Sequence, residues 1–134
     1  MSGRIIRVVA ALIRDPDGRV LLVRKRGTQA FMQPGGKRDV GESDVAALSR
    51  EIAEELGCRV RDASARALGV FDSPAANEPG FQVNASVYAV DVEGPIKPAG
   101  EIDQFVWIDP HALPDLLFAP LTRDHVLPLA RSLQ

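Results

Sequence analysis

The sequence predicts an α/β fold. Three features carry that expectation: two β-branched apolar runs near the N-terminus split by a turn signal, one stretch of helical periodicity, and further strand-like runs after it. With 134 residues the chain fits one domain, over 1–134, and is long enough for a self-sufficient core. Residues 4–14 are rich in Val and Ile, Asp15-Pro16-Asp17-Gly18 signals a turn, and the apolar run resumes over 19–23. The two runs predict a hairpin. The two aspartates also resemble the start of a calcium loop, but Arg26 occupies the position where that loop needs its bidentate Glu. A short segment over 31–33 ends at Pro34-Gly35-Gly36. From Ser43 the period changes: Val45, Leu48, Ile52 and Leu56 recur at helical spacing, with Ser43 as candidate N-cap and Gly57 as stop. Residues 59–70 read as loop and strand, 73–80 as a long loop, 81–92 as a central strand, 93–100 as a connection and 104–108 as a short strand. Asp109-Pro110 opens a helical turn, and 121–133 predicts a terminal helix that Pro128 interrupts.

Composition excludes several functions. Lys and Arg total 16 against 18 Asp and Glu, a net charge of −2, so no global basic field exists for a nucleic-acid polymer. Aromatic residues, at 5%, give little base-stacking platform. One cysteine and two histidines exclude an internal disulfide and an all-N/S structural zinc site. The apolar run over 5–13 is broken by Arg7 and is too short to span a membrane, and it lacks a signal-peptide cleavage pattern. No membrane association and a cytoplasmic location are therefore expected, and an unpaired Cys58 suits a reducing compartment.

The chemistry concentrates in residues 36–58. Glu51, Glu54 and Glu55, spaced i, i+3 and i+4, fall within roughly a 100° arc of one helix face. Leu48, Ile52 and Leu56 take another face. Three carboxylates this close repel one another unless a cation sits among them, and oxygen-only ligands favour Mg²⁺ or Mn²⁺ over zinc. A solvated glutamate face is the competing reading. The preceding loop tips the balance toward a site. Gly35-Gly36 permits close backbone approach to a ligand, Glu42 adds a fourth carboxylate, and Lys37 and Arg38 add positive charge. A Walker loop is excluded, because no Gly stands at the required distance before Gly36 and no Ser or Thr follows Lys37.

The pattern Gly-x5-Glu-x7-Arg-Glu-aliphatic-x-Glu-Glu-x-Gly-aliphatic, met at Gly36, Glu42, Arg50, Glu51, Ile52, Glu54, Glu55 and Gly57, resembles the signature of the MutT-like Nudix hydrolases. Seven fixed positions coincide by chance on the order of 10⁻⁸ per start site. The one departure, Cys58 in place of an aliphatic residue, still packs as a small hydrophobe. Pro34-Gly35-Gly36-Lys37 is similar to the family's lead-in. The resemblance implies an α/β/α sandwich around a central mixed β-sheet. It implies hydrolysis of the diphosphate linkage in a nucleoside diphosphate joined to another group, such as an oxidised or normal nucleoside triphosphate, ADP-ribose or another nucleotide derivative. It further implies Mg²⁺ or Mn²⁺ held by Glu51, Glu54 and Glu55 with the Gly35 carbonyl. On the same basis Arg50 orients the glutamates, Glu42 supports the loop, and Gly36 and Gly57 are structural. The first candidate for the general base is Glu54, expected to point toward the metals from mid-helix; the second is Glu101, six residues before Trp107, which is similar to a loop glutamate of the family's oxidised-dGTP-sanitising member. The alternative is a non-catalytic Nudix-fold nucleotide sensor or interaction module, which has no need of the complete acid set.

Arg24, Lys25 and Arg26 follow the second strand and, with Lys37, are candidates for contacting substrate phosphates; a solvated strand end is the competing reading. Phe71, Phe81 and Tyr88 can stack on a base, although core packing is the commoner fate of such residues. Asn84 can read a base edge or fall on the opposite face. Pro74 stands near where ADP-ribose-cleaving members carry a proline, a weak hint in a chain with 10 prolines. The expected partner is a small nucleotide. The apolar residues of the C-terminal third leave a homodimer open.

Overall fold

The computed structural model describes residues 4–133; residues 1–3 and 134 of the expected domain lie outside the described residues. Strands β1 (Arg4–Leu12) and β2 (Val20–Lys25) explain why the N-terminal runs are apolar without alternation: each is buried on both faces over much of its length. Successive side chains point to opposite faces, so one strand feeds two cores. Val9 and Ala11 of β1 and Leu21 and Val23 of β2 pack with Leu48, Ile52 and Leu56 of helix α1 (Asp44–Leu56). Ala10, Leu12, Val20 and Leu22 pack on the other side with Leu121, Val126 and Leu127. Those last residues belong to the C-terminal segment, a π-helical turn over Thr122–Val126 running into α2 (Leu127–Ser132).

The remaining strands are β3 (Phe31–Met32), β4 (Gly35–Gly36), β5 (Arg59–Val60), β6 (Arg66–Pro74), β7 (Phe81–Ala89), β8 (Val92–Glu93) and β9 (Ile102–Ile108). They form a four-stranded mixed sheet in the order β4-β1-β7-β6, a three-stranded antiparallel sheet β3-β2-β9, and a β5-β8 pair. Strands β1 and β7 run parallel over their whole length, Arg4 beside Phe81 through Leu12 beside Ala89. With α1 and the C-terminal helical segment on opposite sides, this is the expected α/β/α sandwich around a mixed sheet.

The structure corrects the hairpin. The turn at Asp15 to Gly18 forms, with the Asp15 carboxylate accepting from the Asp17 and Arg19 amides, but β1 and β2 share only the Arg14–Val20 bridge before diverging into different sheets. Each strand is instead flanked by its own neighbours, β4 and β7 for β1, and β3 and β9 for β2. Three further boundaries move. β6 continues through Ser73 and Pro74 because both pair with β7, at Val83 and Gln82. The predicted strand over 81–92 is broken at Val90–Asp91, so Val92 turns to pair with β5. Asp109-Pro110 makes only a single turn, closed by the Ala112 amide on the Asp109 carbonyl. Pro128 interrupts the last helix less than expected. It follows the π turn directly, where the helical backbone is widened, with the Leu127 amide bonded to the Thr122 carbonyl.

Candidate active site

Helix α1 starts where the sequence says it should. The Ser43 hydroxyl accepts from the Ala46 amide at 3.1 Å, and Gly57 ends the helix in the left-handed conformation at φ 68°. Its apolar stripe fixes the rotation of the helix, and that rotation divides the three glutamates. Glu55 lies about 40° from Glu51 around the axis, whereas Glu54 lies about 60° to the other side. Glu51 and Glu55 accordingly line a cavity of about 390 Å³, while the Glu54 side chain is 60% exposed and stands 3.6 Å from Arg50.

The cavity opens between α1, the Gly35–Gly36 strand and the 74–78 loop. Its polar lining includes Glu51, Glu55, Lys25, Lys37, Gln33 and Glu101, and its apolar wall is made by Ile6, Val8, Met32, Val83 and Leu121. The two glycines are required for different reasons. A side chain on Gly35, whose φ is 150°, would run into the Val9 carbonyl oxygen, so β4 can lie against β1 only without one. A side chain on Gly36 would meet the Glu51 carboxylate, 2.5 Å from Oε2. Glycine at 36 therefore leaves Glu51 its place in the cavity.

Glu55 is nearly enclosed, 9% exposed, and receives the Gly35 amide at 3.4 Å. Burial first, and then the neighbouring Glu51 charge, push its carboxyl up to about 8, with the Gly35 amide and Lys25 pulling the other way. Arg50 makes the opposite kind of environment. It grips Glu42 with two parallel bonds, Nε to Oε2 at 2.8 Å and Nη2 to Oε1 at 2.9 Å. It also donates to Glu51 at 3.0 Å and to the Lys37 carbonyl at 2.9 Å. The Arg50 fork, with the Asp39 amide at 2.7 Å, holds the Glu42 carboxyl down at about 2.

The residue types suit a hard divalent cation. Two adjacent carboxylates in one cavity, one of them made unfavourable as an anion by burial, supply oxygen donors only. Among the described residues no group of three or more acidic, histidine or cysteine side chains encloses a single point. Mg²⁺ needs no such cage, because it keeps several waters and is held by one or two carboxylates together with substrate phosphates.

Of the four basic candidates, Lys25 and Lys37 line the cavity and two do not. Arg24 pairs with Asp103 at 3.3 Å and lies over the Phe31 ring, and Arg26 donates to the Gly100 carbonyl at 3.2 Å. The Arg26 amide also bonds to the Glu101 carbonyl at 2.7 Å, so Arg26 shapes the loop that carries Glu101. Phe71 stacks on His125, Phe81 lies under Arg4, and the Tyr88 hydroxyl donates to Asp44 at 2.6 Å, which leaves none of the three in the cavity. Asn84 is on the far face, bonded to Asp72. Trp107 packs against the α1-side core, and Cys58 is buried within it, its thiol pushed up by that burial. Pro74, a weak hint in the sequence, does line the cavity together with residues 75–78, whereas sequence reasoning passed over Gln33 as a site residue; its position directly before Pro34-Gly35-Gly36 is the signal that could have found it.

A model of the NUDIX domain family matches residues 4–130. An 8-oxo-dGTP diphosphatase of Haemophilus influenzae is 33% identical over 125 residues, covering 90% of this chain and 88% of that protein. An ADP-ribose pyrophosphatase of Methanocaldococcus jannaschii is 32% identical over 110 residues, covering 79% of this chain and 63% of that protein. Among solved structures, a MutT NUDIX hydrolase from Burkholderia pseudomallei superposes with a TM-score of 0.74 at 28% identity, over 95% of both chains. The match to the family runs through both sheets and α1, well beyond the glutamate-bearing segment, and the chain belongs to the MutT-like Nudix hydrolases.

Proposed function

We propose that this chain is a Mg²⁺- or Mn²⁺-dependent pyrophosphohydrolase that cleaves the diphosphate linkage of a small nucleotide, with nucleoside triphosphates, oxidised or normal, ahead of ADP-ribose. The observation that carries this reading is the pair Glu51 and Glu55, two carboxylates sharing one cavity with Lys25 and Lys37 at its edge. A cation bound there supplies positive charge to the phosphate oxygens and eases attack by water at phosphorus. Glu51 and Glu55 hold that cation, with the Gly35 backbone beside them. Lys25 and Lys37 bind the phosphates as point charges. The attacking water forms a bond to phosphorus as the bridging P–O bond breaks, and a carboxylate takes the water's proton. Glu101 lines the cavity and is the base favoured by geometry. Glu54, the mid-helix candidate, is 60% exposed, stands 3.6 Å from Arg50 and does not line the cavity. Arg50 positions Glu51 while Glu42 anchors Arg50.

The nucleoside triphosphate preference draws on the 8-oxo-dGTP diphosphatase similarity, which spans nearly the whole of both chains. A product screen of purified protein in Mg²⁺ against 8-oxo-dGTP, the ordinary nucleoside triphosphates, ADP-ribose and sugar nucleotides tests the proposal. Release of pyrophosphate or phosphate from a triphosphate, abolished by chelator and by Glu51→Gln, is the expected result. Tight binding of every nucleotide without product would instead make the chain a sensor.

A further inference from the structure

Gln33 stands between β3 and β4, is half-buried and lines the cavity. Its Oε1 accepts a hydrogen bond from the Thr122 hydroxyl at 2.6 Å. Thr122 is 0% exposed and opens the π turn, so the group that holds Gln33 is itself fixed by the C-terminal helical segment. With Oε1 committed to Thr122, Nε2 keeps two N–H donors and has no protein partner among the described residues. The same cavity has an apolar wall: Ile6, Val8, Met32, Val83 and Leu121. A donor displayed in an apolar-walled cavity rewards a ligand that brings an acceptor and penalises one that brings a second donor.

We propose that Gln33, clamped by Thr122, reads the base of the substrate by donating from Nε2 to a ring carbonyl, so that the cavity prefers nucleotides of oxo-bases to those of adenine. The proposal rests on the reading of the chain as a nucleotide hydrolase and narrows its substrate class. Guanine and hypoxanthine present a carbonyl oxygen where adenine presents an amino group. Against adenine, two donors would face each other and both would lose their water. Thr122 is a positioning residue, because it acts only by keeping the carboxamide from turning over.

Deoxyinosine and deoxyadenosine triphosphates carry the same sugar and phosphates and present carbonyl against amino at this edge, so they isolate the proposed contact. The ratio of their kcat/KM values is measured for the unaltered protein and for Gln33→Leu, Thr122→Val and Thr122→Ser. The unaltered protein is expected to favour the inosine nucleotide by roughly tenfold, the size of one neutral hydrogen bond. Gln33→Leu should bring the ratio close to one, Thr122→Val should lower it, and Thr122→Ser should keep it. Equal use of both nucleotides by the unaltered protein, or an unchanged ratio in Gln33→Leu, overturns the proposal. Failure of the enzymatic reading looks different: neither nucleotide is cleaved. The two dissociation constants, measured by calorimetry, then decide the matter, and equal constants or no binding reject the role of Gln33.

Discussion

Arg50 connects four acidic side chains, Asp39, Glu42, Glu51 and Glu54, and a backbone carbonyl through one guanidinium, and lysine cannot copy that geometry. Arg50→Lys keeps the charge but loses the paired bonds to Glu42, so turnover should fall roughly tenfold or more, since bidentate recognition contributes on that order. Arg50→Ala should fall further, with KM for the nucleotide changing less than kcat, as expected of a residue that acts through Glu51; steady-state kinetics checks both. Glu55 and Glu42 give opposite pH signatures. The folded-state value of Glu55 is raised from 4.5 to about 8, so its contribution to stability is complete below 4.5 and is lost as pH rises toward 8. That of Glu42 is lowered from 4.5 to about 2, so its contribution is present above 4.5 and is lost as pH falls toward 2. Thermal melts in chelator should therefore decline from about pH 5 to about pH 8, and Glu55→Gln should flatten that decline. An unchanged slope in the variant would show that Glu55 is not the group responsible.

The adjacent glycines of β4 separate folding from catalysis within one two-residue strand. Gly36→Ala presses only on the movable end of Glu51, so it should leave the melting temperature nearly unchanged while strongly reducing turnover. Gly35→Ala collides with the β1 backbone and should lower the melting temperature itself. At the other end of the site, Ser43→Ala removes the cap of α1 and should cost about 1 kcal/mol of stability. That loss is measurable by denaturant unfolding. Helix α1 was legible because its apolar stripe, cap and stop all agree. The short strands were not, since a two-residue strand such as β4 carries no periodicity and exists only through its pairing with Val9 and Ala10.

Across the whole molecule, the site joins elements that are distant in sequence: β1, β2, β4, α1, the 74–78 loop and Glu101 meet at one cavity. A divalent cation bound there should stabilise the folded chain by about 2.7 kcal/mol at a hundredfold excess over its dissociation constant. Thermal melts with and without Mg²⁺ should show that gain, and chelator or Glu51→Gln should remove it. The sequence by itself determined the family pattern, the helix with its acids, and the apolar runs that became doubly buried strands. These are local or compositional properties. Only the tertiary structure decided that Glu51 and Glu55 share the cavity while Glu54 turns toward Arg50, that Lys25 and Lys37 but not Arg24 and Arg26 line it, and that Gln33 meets Thr122. Such facts depend on helix rotation and on contacts between residues as far apart as 33 and 122, which no local pattern encodes.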